Sequence, residues 1–149
     1  MDSAALDQLY RFFTEAGIIT QLGGALTERH LPRRLTNQHF GFLGHLSRRP
    51  EGETPQKLAH AFQIPKTSMT HMIKVMEELG LVETRRNTED ARSKLIVITD
   101  AGESLRQEVL AKAVDDLAKM EPQPDMEAVA RVLPDLERLR AQLDAARDC

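Results

Sequence analysis

Hydroxyl, imidazole and ammonium groups gather within residues 66–74 at helical spacing. The candidates for base contacts are Thr67, Ser68, Thr70 and His71, and those for phosphate contacts are Lys66 and Lys74. Hydroxyls and imidazoles hydrogen-bond base edges in the major groove, and lysines bind phosphates. The pattern predicts a nucleic-acid contact. The alternative is a solvated helix face, which is what most polar helix faces are.

A second charged group surrounds the polar loop at residues 87–93. Its basic members are Arg85, Arg86, Arg92 and Lys94. An arginine on a projecting loop can enter the minor groove, where narrow A·T tracts concentrate negative potential. Asp90 has the wrong sign to meet DNA, so we expect it to pair with a basic residue and to hold the loop in shape. The alternative is a loop tip whose charges only promote solubility.

Two helices and a hairpin must position these groups. Thr54 suits an N-cap and Pro55 a first helical position, which predicts a helix over 55–62. Residues 63–65 break the chain, and a second helix follows from Pro65 to Gly80, a good C′ residue. Its apolar side should bury against the first helix and consists of Met69, Met72, Ile73, Met76 and Leu79. Strands are predicted over 81–86 and 94–98.

A helix-turn-helix followed at once by an arginine-bearing hairpin resembles the MarR family of bacterial transcriptional regulators. Residues 90–94, Asp-Ala-Arg-Ser-Lys, match that family's D-x-R-x-K wing motif. Residues 66–71 resemble the start of its recognition helix, and residues 79–82 its helix-to-wing junction. The specific part of the resemblance covers residues 58–102. It implies a mainly α (α+β) fold: a winged helix-turn-helix with a two-stranded β wing and long terminal dimerisation helices.

The resemblance also carries expectations about DNA and effectors. The family often has arginine where His71 stands, so a guanine contact does not transfer to this chain. A small effector, often an aromatic anion, binds between the dimer helices and the winged domain, for which His39, Phe42 and His45 are candidates. Ordinary packing is the alternative for all three. Redox sensing through an N-terminal cysteine is not expected, because the only cysteine is Cys149.

The flanking segments predict helices suited to dimerisation. Apolar residues recur at near-helical spacing over 4–29, although Gly17, Gly23 and Gly24 weaken that helix. Thr36 should cap a helix over 37–47. Thr99 should cap a fifth helix that ends near 121, and Asp125 should cap a sixth helix. Pro134 predicts a kink or a break in the sixth helix. We expect one MarR-like domain over 1–149, with its DNA-binding part at 36–98 and dimerisation helices at 1–31 and 99–147.

Composition and charge agree with a DNA-binding domain. The chain has 149 residues, of which 41% are hydrophobic and 29% charged, as in an ordinary globular domain. Its net charge of −3 is unevenly distributed: residues 54–94 hold 7 basic and 5 acidic side chains, and residues 95–149 hold 7 and 12. Local charge governs phosphate attraction. We expect a cytoplasmic location, because neither a secretory signal nor a membrane span is recognised.

The predicted function is a DNA-binding transcriptional regulator, a repressor that binds a pseudo-palindromic operator as a homodimer and is released by a small molecule. No phosphate-binding glycine loop, nucleophile elbow or carboxylate pair is found, so we expect no enzyme and no cofactor. Metal sensing is not expected either, because His30, His39 and His45 are not spaced at i, i+4 on one helix. The alternative is a winged-helix protein that binds another protein and not specific DNA.

Overall fold

The computed structural model describes residues 2–147, with the side chains of residues 2–146. Within them lie six helices and a two-stranded antiparallel sheet, which confirms the predicted mainly helical, winged fold. The elements are α1 Ser3–Glu28, α2 Asn37–Ser47, α3 Pro55–Ala61, α4 Lys66–Glu78, β1 Val82–Arg86, β2 Lys94–Ile98, α5 Asp100–Ala118 and α6 Met126–Arg147. The expectation about Cys149 concerns a residue outside this described part.

The helix-turn-helix consists of α3 and α4. Thr54 caps α3 by accepting a hydrogen bond from the Lys57 backbone N–H at 3.3 Å. The turn passes through Gln63, whose φ of 52° lies in the left-handed region, which is sparsely populated by residues other than glycine. Pro65 is the N-cap of α4, so this helix begins one residue later than predicted. The turn therefore fixes the direction in which α4 leaves α3.

The apolar side of α4 lies in the core, as its periodicity predicted. Met69 and Met76 have no exposed surface, Met72 and Ile73 are at most 7% exposed, and Leu79 is half-buried. They join a cluster of buried residues from α2, α3 and the sheet, among them Phe42, Leu43, Leu46, Leu58 and Ile96. Burial of one side of α4 leaves its polar side outward, toward solvent.

The hairpin pairs β1 with β2 in a register that sets Val82 opposite Ile98 and Arg86 opposite Lys94. A third segment joins this sheet at one position, where Glu53 and Ile96 exchange backbone hydrogen bonds of 3.1 and 2.8 Å. The sequence indicated only a turn at residues 50–54. The bridge anchors the base of the wing to the segment between α2 and α3.

The end of α4 is joined to the wing and to α5. Gly80 has a φ of 69°, and the Leu81 N–H donates to the Met76 carbonyl at 2.9 Å, which closes the helix end. The Thr99 hydroxyl donates to the Gly80 carbonyl at 2.6 Å and accepts from the Gly102 N–H at 3.1 Å. Thr99 therefore caps α5, as expected, and also holds the start of α5 against the start of the wing.

The terminal helices are unbroken. Helix α1 runs through its three glycines, and α6 runs through Pro134, so of the predicted kink or break the break does not occur. The chain divides into two compact units after Val114. α1, in the first unit, and α6, in the second, each expose seven large apolar side chains. Over the described residues, no helix is both long and apolar enough to cross a membrane.

Candidate nucleic-acid interface

The outward side of α4 presents all six side chains that the sequence selected there. The candidate base contacts Thr67, Ser68, Thr70 and His71 are exposed, as are the candidate phosphate contacts Lys66 and Lys74. Helical geometry places Thr67, Thr70, His71 and Lys74 three or four positions apart on one side. This side of α4 can therefore be presented to a groove without unpacking the core.

The four base-contact candidates differ in the hydrogen bonds still open to them. The Thr70 hydroxyl donates to the Lys66 carbonyl at 2.9 Å, so it retains only its capacity to accept. Thr67 and Ser68 have no hydrogen-bond partner for their hydroxyls among residues 2–147, so both can donate and accept. The best-placed hydroxyls for DNA contacts are thus those of the first turn of α4.

The first turn of α2 lies beside this part of α4, which the sequence did not show. A cleft of about 430 Å³ is lined by Gln38 and His39 of α2 and by Thr67, Ser68, His71 and Met72 of α4. Burial, followed by the charge of His71, lowers the pKa of His39. His39 Nδ1 accepts a hydrogen bond from the Thr36 backbone N–H at 3.2 Å, which the protonated ring could not do. A neutral ring that accepts at Nδ1 carries its proton on Nε2.

Five cations of the predicted interface lie outside salt-bridge distance of any carboxylate that the structure describes. Over the described residues, no carboxylate lies within salt-bridge distance of Lys66, Lys74, Arg86, Arg92 or Lys94. In contrast, Arg85 pairs with Glu83 at 2.6 Å, and several basic residues elsewhere are also paired. Cations without internal partners retain their full capacity to bind an external anion. The charge distribution of the structure thus favours a polyanionic partner on this side.

The wing places like charges opposite each other. Arg86 and Lys94 face each other in the antiparallel register, and both are exposed. Directly opposed like charges destabilise a sheet. Their positions at the loop end of the hairpin suit a phosphate backbone, which would relieve the repulsion between them.

The wing tip is held by Asp90, but not in the way expected. Asp90 Oδ1 accepts a hydrogen bond from the Arg92 backbone N–H at 3.0 Å, and the Asp90 carbonyl accepts from the Ser93 N–H at 3.0 Å. The predicted pairing with a basic side chain is wrong for residues 2–147, where Asp90 bonds backbone instead. This turn leaves the Arg92 side chain exposed at the tip.

Arg34 is a further basic residue on this side. Its guanidinium lies 2.8 Å from Glu78 at the end of α4. That hydrogen bond is the main reason why the pKa of Glu78 is lowered, and the charges of Lys74 and His71 contribute. In the sequence Arg33 and Arg34 form a basic pair, and no local pattern connects that pair with α4.

The three effector candidates are not brought together. His39 lines the cleft beside α4, whereas Phe42 is fully buried in the core with its ring 5.7 Å from that of Phe62. His45 also packs on Phe62, at 5.5 Å, and lies 2.5 Å from Glu53. Among the described residues, no group of three or more His, Cys, Asp or Glu side chains is arranged to hold a metal ion.

Comparison with known proteins agrees with this geometry. The model of the MarR family matches residues 35–93, which run from the start of α2 to the wing tip. A solved MarR-family transcription regulator is 27% identical over 99% of this chain and 98% of its own, with a TM-score of 0.67.

Two further solved structures share the fold at lower identity. The transcriptional regulator BldR from Sulfolobus solfataricus has a TM-score of 0.70 and 20% identity, covering 95% of this chain and 99% of its own. Wild-type MarR from E. coli, in its apo form, has a TM-score of 0.69 and 20% identity, covering 85% and 94%.

Proposed function

We propose that this chain binds double-stranded DNA and regulates transcription, because its residues 35–93 match the model of the MarR family and it has the fold of solved transcription regulators of that family. In this proposal α4 lies in the major groove and the wing reaches the adjacent minor groove. The observation that carries it is that α4 exposes its hydroxyls and that five cations of α4 and the wing have no carboxylate of the described residues within salt-bridge distance.

The side chains divide into two kinds of contact. Thr67, Ser68 and His71 contact base edges, and Thr70 contributes only as an acceptor. Lys66, Lys74, Arg86 and Lys94 bind phosphates, and Arg92 enters the minor groove from the wing tip. Hydroxyl contacts are tolerant of base sequence. Most of the affinity therefore comes from phosphate contacts, and we expect the affinity to fall steeply as the salt concentration rises.

We propose that the regulator acts in the cytoplasm as a homodimer on a pseudo-palindromic operator. Support comes from α1 and α6, which each expose a row of leucine, isoleucine, valine or aromatic side chains to solvent. Monomeric proteins rarely leave so much apolar surface uncovered. A two-fold dimer would set two α4 helices about one helical turn of DNA apart.

We further propose that the protein is a repressor and that a small molecule releases it from DNA. An effector that binds beside the winged segment would change the spacing of the two α4 helices. His39, Phe42 and His45 remain the candidates from the sequence; of these, His39 and His45 are partly exposed. A screen of aromatic carboxylates such as salicylate for release of bound DNA tests this part.

The central experiment measures DNA binding by fluorescence anisotropy with duplexes selected from a random pool by the wild-type protein. Arg92→Ala should weaken binding by about tenfold, as expected for loss of one charge-assisted contact. Arg138→Ala is the matched control: it removes the same charge from α6, where Arg138 pairs with Asp135 at 2.9 Å. The control should bind like the wild type.

Two outcomes would contradict the proposal. The first is that selection from the random pool enriches no duplex. The second is that Arg92→Ala and Arg138→Ala bind equally well. Either result would favour the alternative function, a winged-helix adaptor that recognises another protein. An adaptor would also lack the steep dependence of binding on salt that phosphate contacts impose.

A further inference from the structure

The cleft between the first turns of α2 and α4 contains hydrogen-bond donors from both helices. Gln38 contributes an amide, His39 and His71 contribute imidazoles, and Thr67 and Ser68 contribute hydroxyls. None of the six lining residues carries a carboxylate. A site that offers several donors and no anion fits a ligand group that only accepts hydrogen bonds and is negatively charged.

The backbone of α2 fixes one of these donors. The Thr36 N–H donates to His39 Nδ1 in a capping box, in which His39 occupies the position where glutamate or glutamine is usual. Because Nδ1 must accept, the ring proton resides on Nε2, on the opposite side of the ring. His39 therefore supplies the cleft with an N–H donor without being protonated.

The surroundings of the cleft indicate which anion it would receive. The base-contact candidates Thr67, Ser68 and His71 line it themselves, so a duplex placed against α4 passes directly over it. The fragment of that duplex that only accepts hydrogen bonds and carries a charge is the phosphodiester. With a volume of about 430 Å³, the cleft is wide enough for a phosphate group.

We propose that this cleft is a backbone-phosphate subsite in which Gln38 and His39 of α2 bind a phosphate of the same duplex that α4 reads. The inference rests on the proposed DNA-binding function and assigns a DNA contact to a helix outside the α3–α4 motif. Its function is to set the depth and angle at which α4 enters the groove, because phosphate contacts orient a protein on DNA without reading sequence.

The test combines two variants with duplexes in which single phosphates are replaced by neutral methylphosphonates. Gln38→Ala removes the amide. His39→Glu keeps the capping box, since glutamate accepts from the Thr36 N–H, but it removes the Nε2 donor and adds a negative charge. The control is Gln107→Ala on α5, where Gln107 binds Glu103 at 3.0 Å. Glu103 also contacts Ser47, at the opposite end of α2 from Gln38.

The proposal predicts one phosphate per half-site whose neutralisation weakens wild-type binding about tenfold. Gln38→Ala and His39→Glu should each lower affinity by a similar factor, for operator and scrambled duplexes alike. Neutralising the same phosphate should then have little further effect on either variant. Gln107→Ala should behave as the wild type at every position. If His39→Glu weakens binding only because its new charge repels DNA in general, the variant should keep the sensitivity to that phosphate.

The subsite is overturned if Gln38→Ala and His39→Glu both bind the operator with wild-type affinity, or if both keep full sensitivity to every phosphate. Either outcome leaves the DNA-binding function intact. Absence of DNA binding by the wild type would instead refute the proposed function. If His39→Glu does not fold, as judged by its thermal transition, the phosphate scan of Gln38→Ala decides alone, because Gln38 is exposed and has no role in the core.

Discussion

The carboxylate of Glu53 lies 2.5 Å from Nε2 of His45, while the backbone of the same glutamate pairs with Ile96 at the base of the wing. Both side chains are less than one fifth exposed, and Arg49 approaches the same carboxylate at 3.5 Å. Helix α2 and the wing are thus connected through one residue. The orientation of the wing relative to α2 depends on this contact as well as on the β1–β2 pairing.

Replacement of Glu53 by alanine should destabilise the winged segment. The change removes the partly buried carboxylate that both His45 and Arg49 contact, so we expect a loss of about 1–3 kcal/mol in the free energy of unfolding. Urea denaturation followed by circular dichroism measures it. Glu51→Ala, an exposed acidic neighbour outside the contact, should change the midpoint little. Equal midpoints for the two variants would show that the His45 contact does not stabilise the fold.

A glycine in α5 should tolerate no side chain. A Cβ on Gly102 would overlap the Leu81 carbonyl oxygen and lie 2.9 Å from Ile98 Cγ1. Backbone cannot move aside cheaply, so Gly102→Ala should destabilise by about 3 kcal/mol or prevent folding. Gly23→Ala in α1 is the matched control: no atom lies within 4 Å of its added Cβ, and it should stabilise by up to about 1 kcal/mol. Thermal melts of both variants make the comparison.

The features that the sequence predicted are those that depend on local pattern. The apolar side of α4 follows from the spacing of Met69, Met72, Ile73 and Met76, and the wing from two short β-type runs around a polar loop. The features it missed depend on contacts between distant segments. The single-residue bridge of Glu53 to Ile96 has no periodicity, and the cleft that joins His39 to His71 exists only because α2 packs beside α4.

A break at Pro134 and an ion pair of Asp90 were expected from single residues, and neither occurs among the described residues. Pro134 disfavours a helix interior, yet α6 continues through it, because the neighbouring turns still make their own hydrogen bonds. Asp90 was assigned a charged partner from its sign alone. A short acidic side chain in a turn can instead accept a hydrogen bond from the backbone two residues on, and here the Arg92 N–H donates to Asp90.

Stability should fall in acid through Glu103. Hydrogen bonds from Arg106, and also from Ser47 and Gln107, lower the pKa of Glu103 to about 2, against about 4.3 in an unfolded chain. A carboxyl with a depressed pKa stabilises the fold above its unfolded pKa, and this contribution is lost as pH falls from about 4 toward 2. Because the side chain is 30% exposed, we expect only about 1 kcal/mol after solvent screening.

Glu103→Gln isolates this contribution. The variant keeps an oxygen acceptor for Arg106 but does not titrate, so its free energy of unfolding should depend less on pH between about 2 and 4 than that of the wild type. Above pH 5 the wild type should be the more stable of the two. Parallel pH dependences over that acidic range would show that Glu103 is not responsible.

Oligomeric state should respond to charge on either terminal helix. Leu22 in α1 and Leu136 in α6 are 66% and 41% exposed, although both are large and apolar. If they are buried between subunits, Leu136→Asp or Leu22→Asp should shift a dimer toward monomer, because an interface cannot accommodate an unpaired carboxylate. Sedimentation velocity measures the shift. Gln142→Asp, on an exposed part of α6, is the control; a wild-type chain that sediments as a monomer would refute the dimer.

The shape of the wing tip should matter to DNA binding independently of its charge. Asp90→Ala removes the acceptor for the Arg92 N–H, so the tip should become mobile and operator affinity should fall about fivefold, which corresponds to about 1 kcal/mol. Asp90→Asn keeps an oxygen at that place and removes a negative charge. It should bind DNA at least as tightly as the wild type, in the anisotropy assay at fixed salt. Weakening by both substitutions to the same extent would show that the charge of Asp90, and not the turn it forms, is what the interface requires.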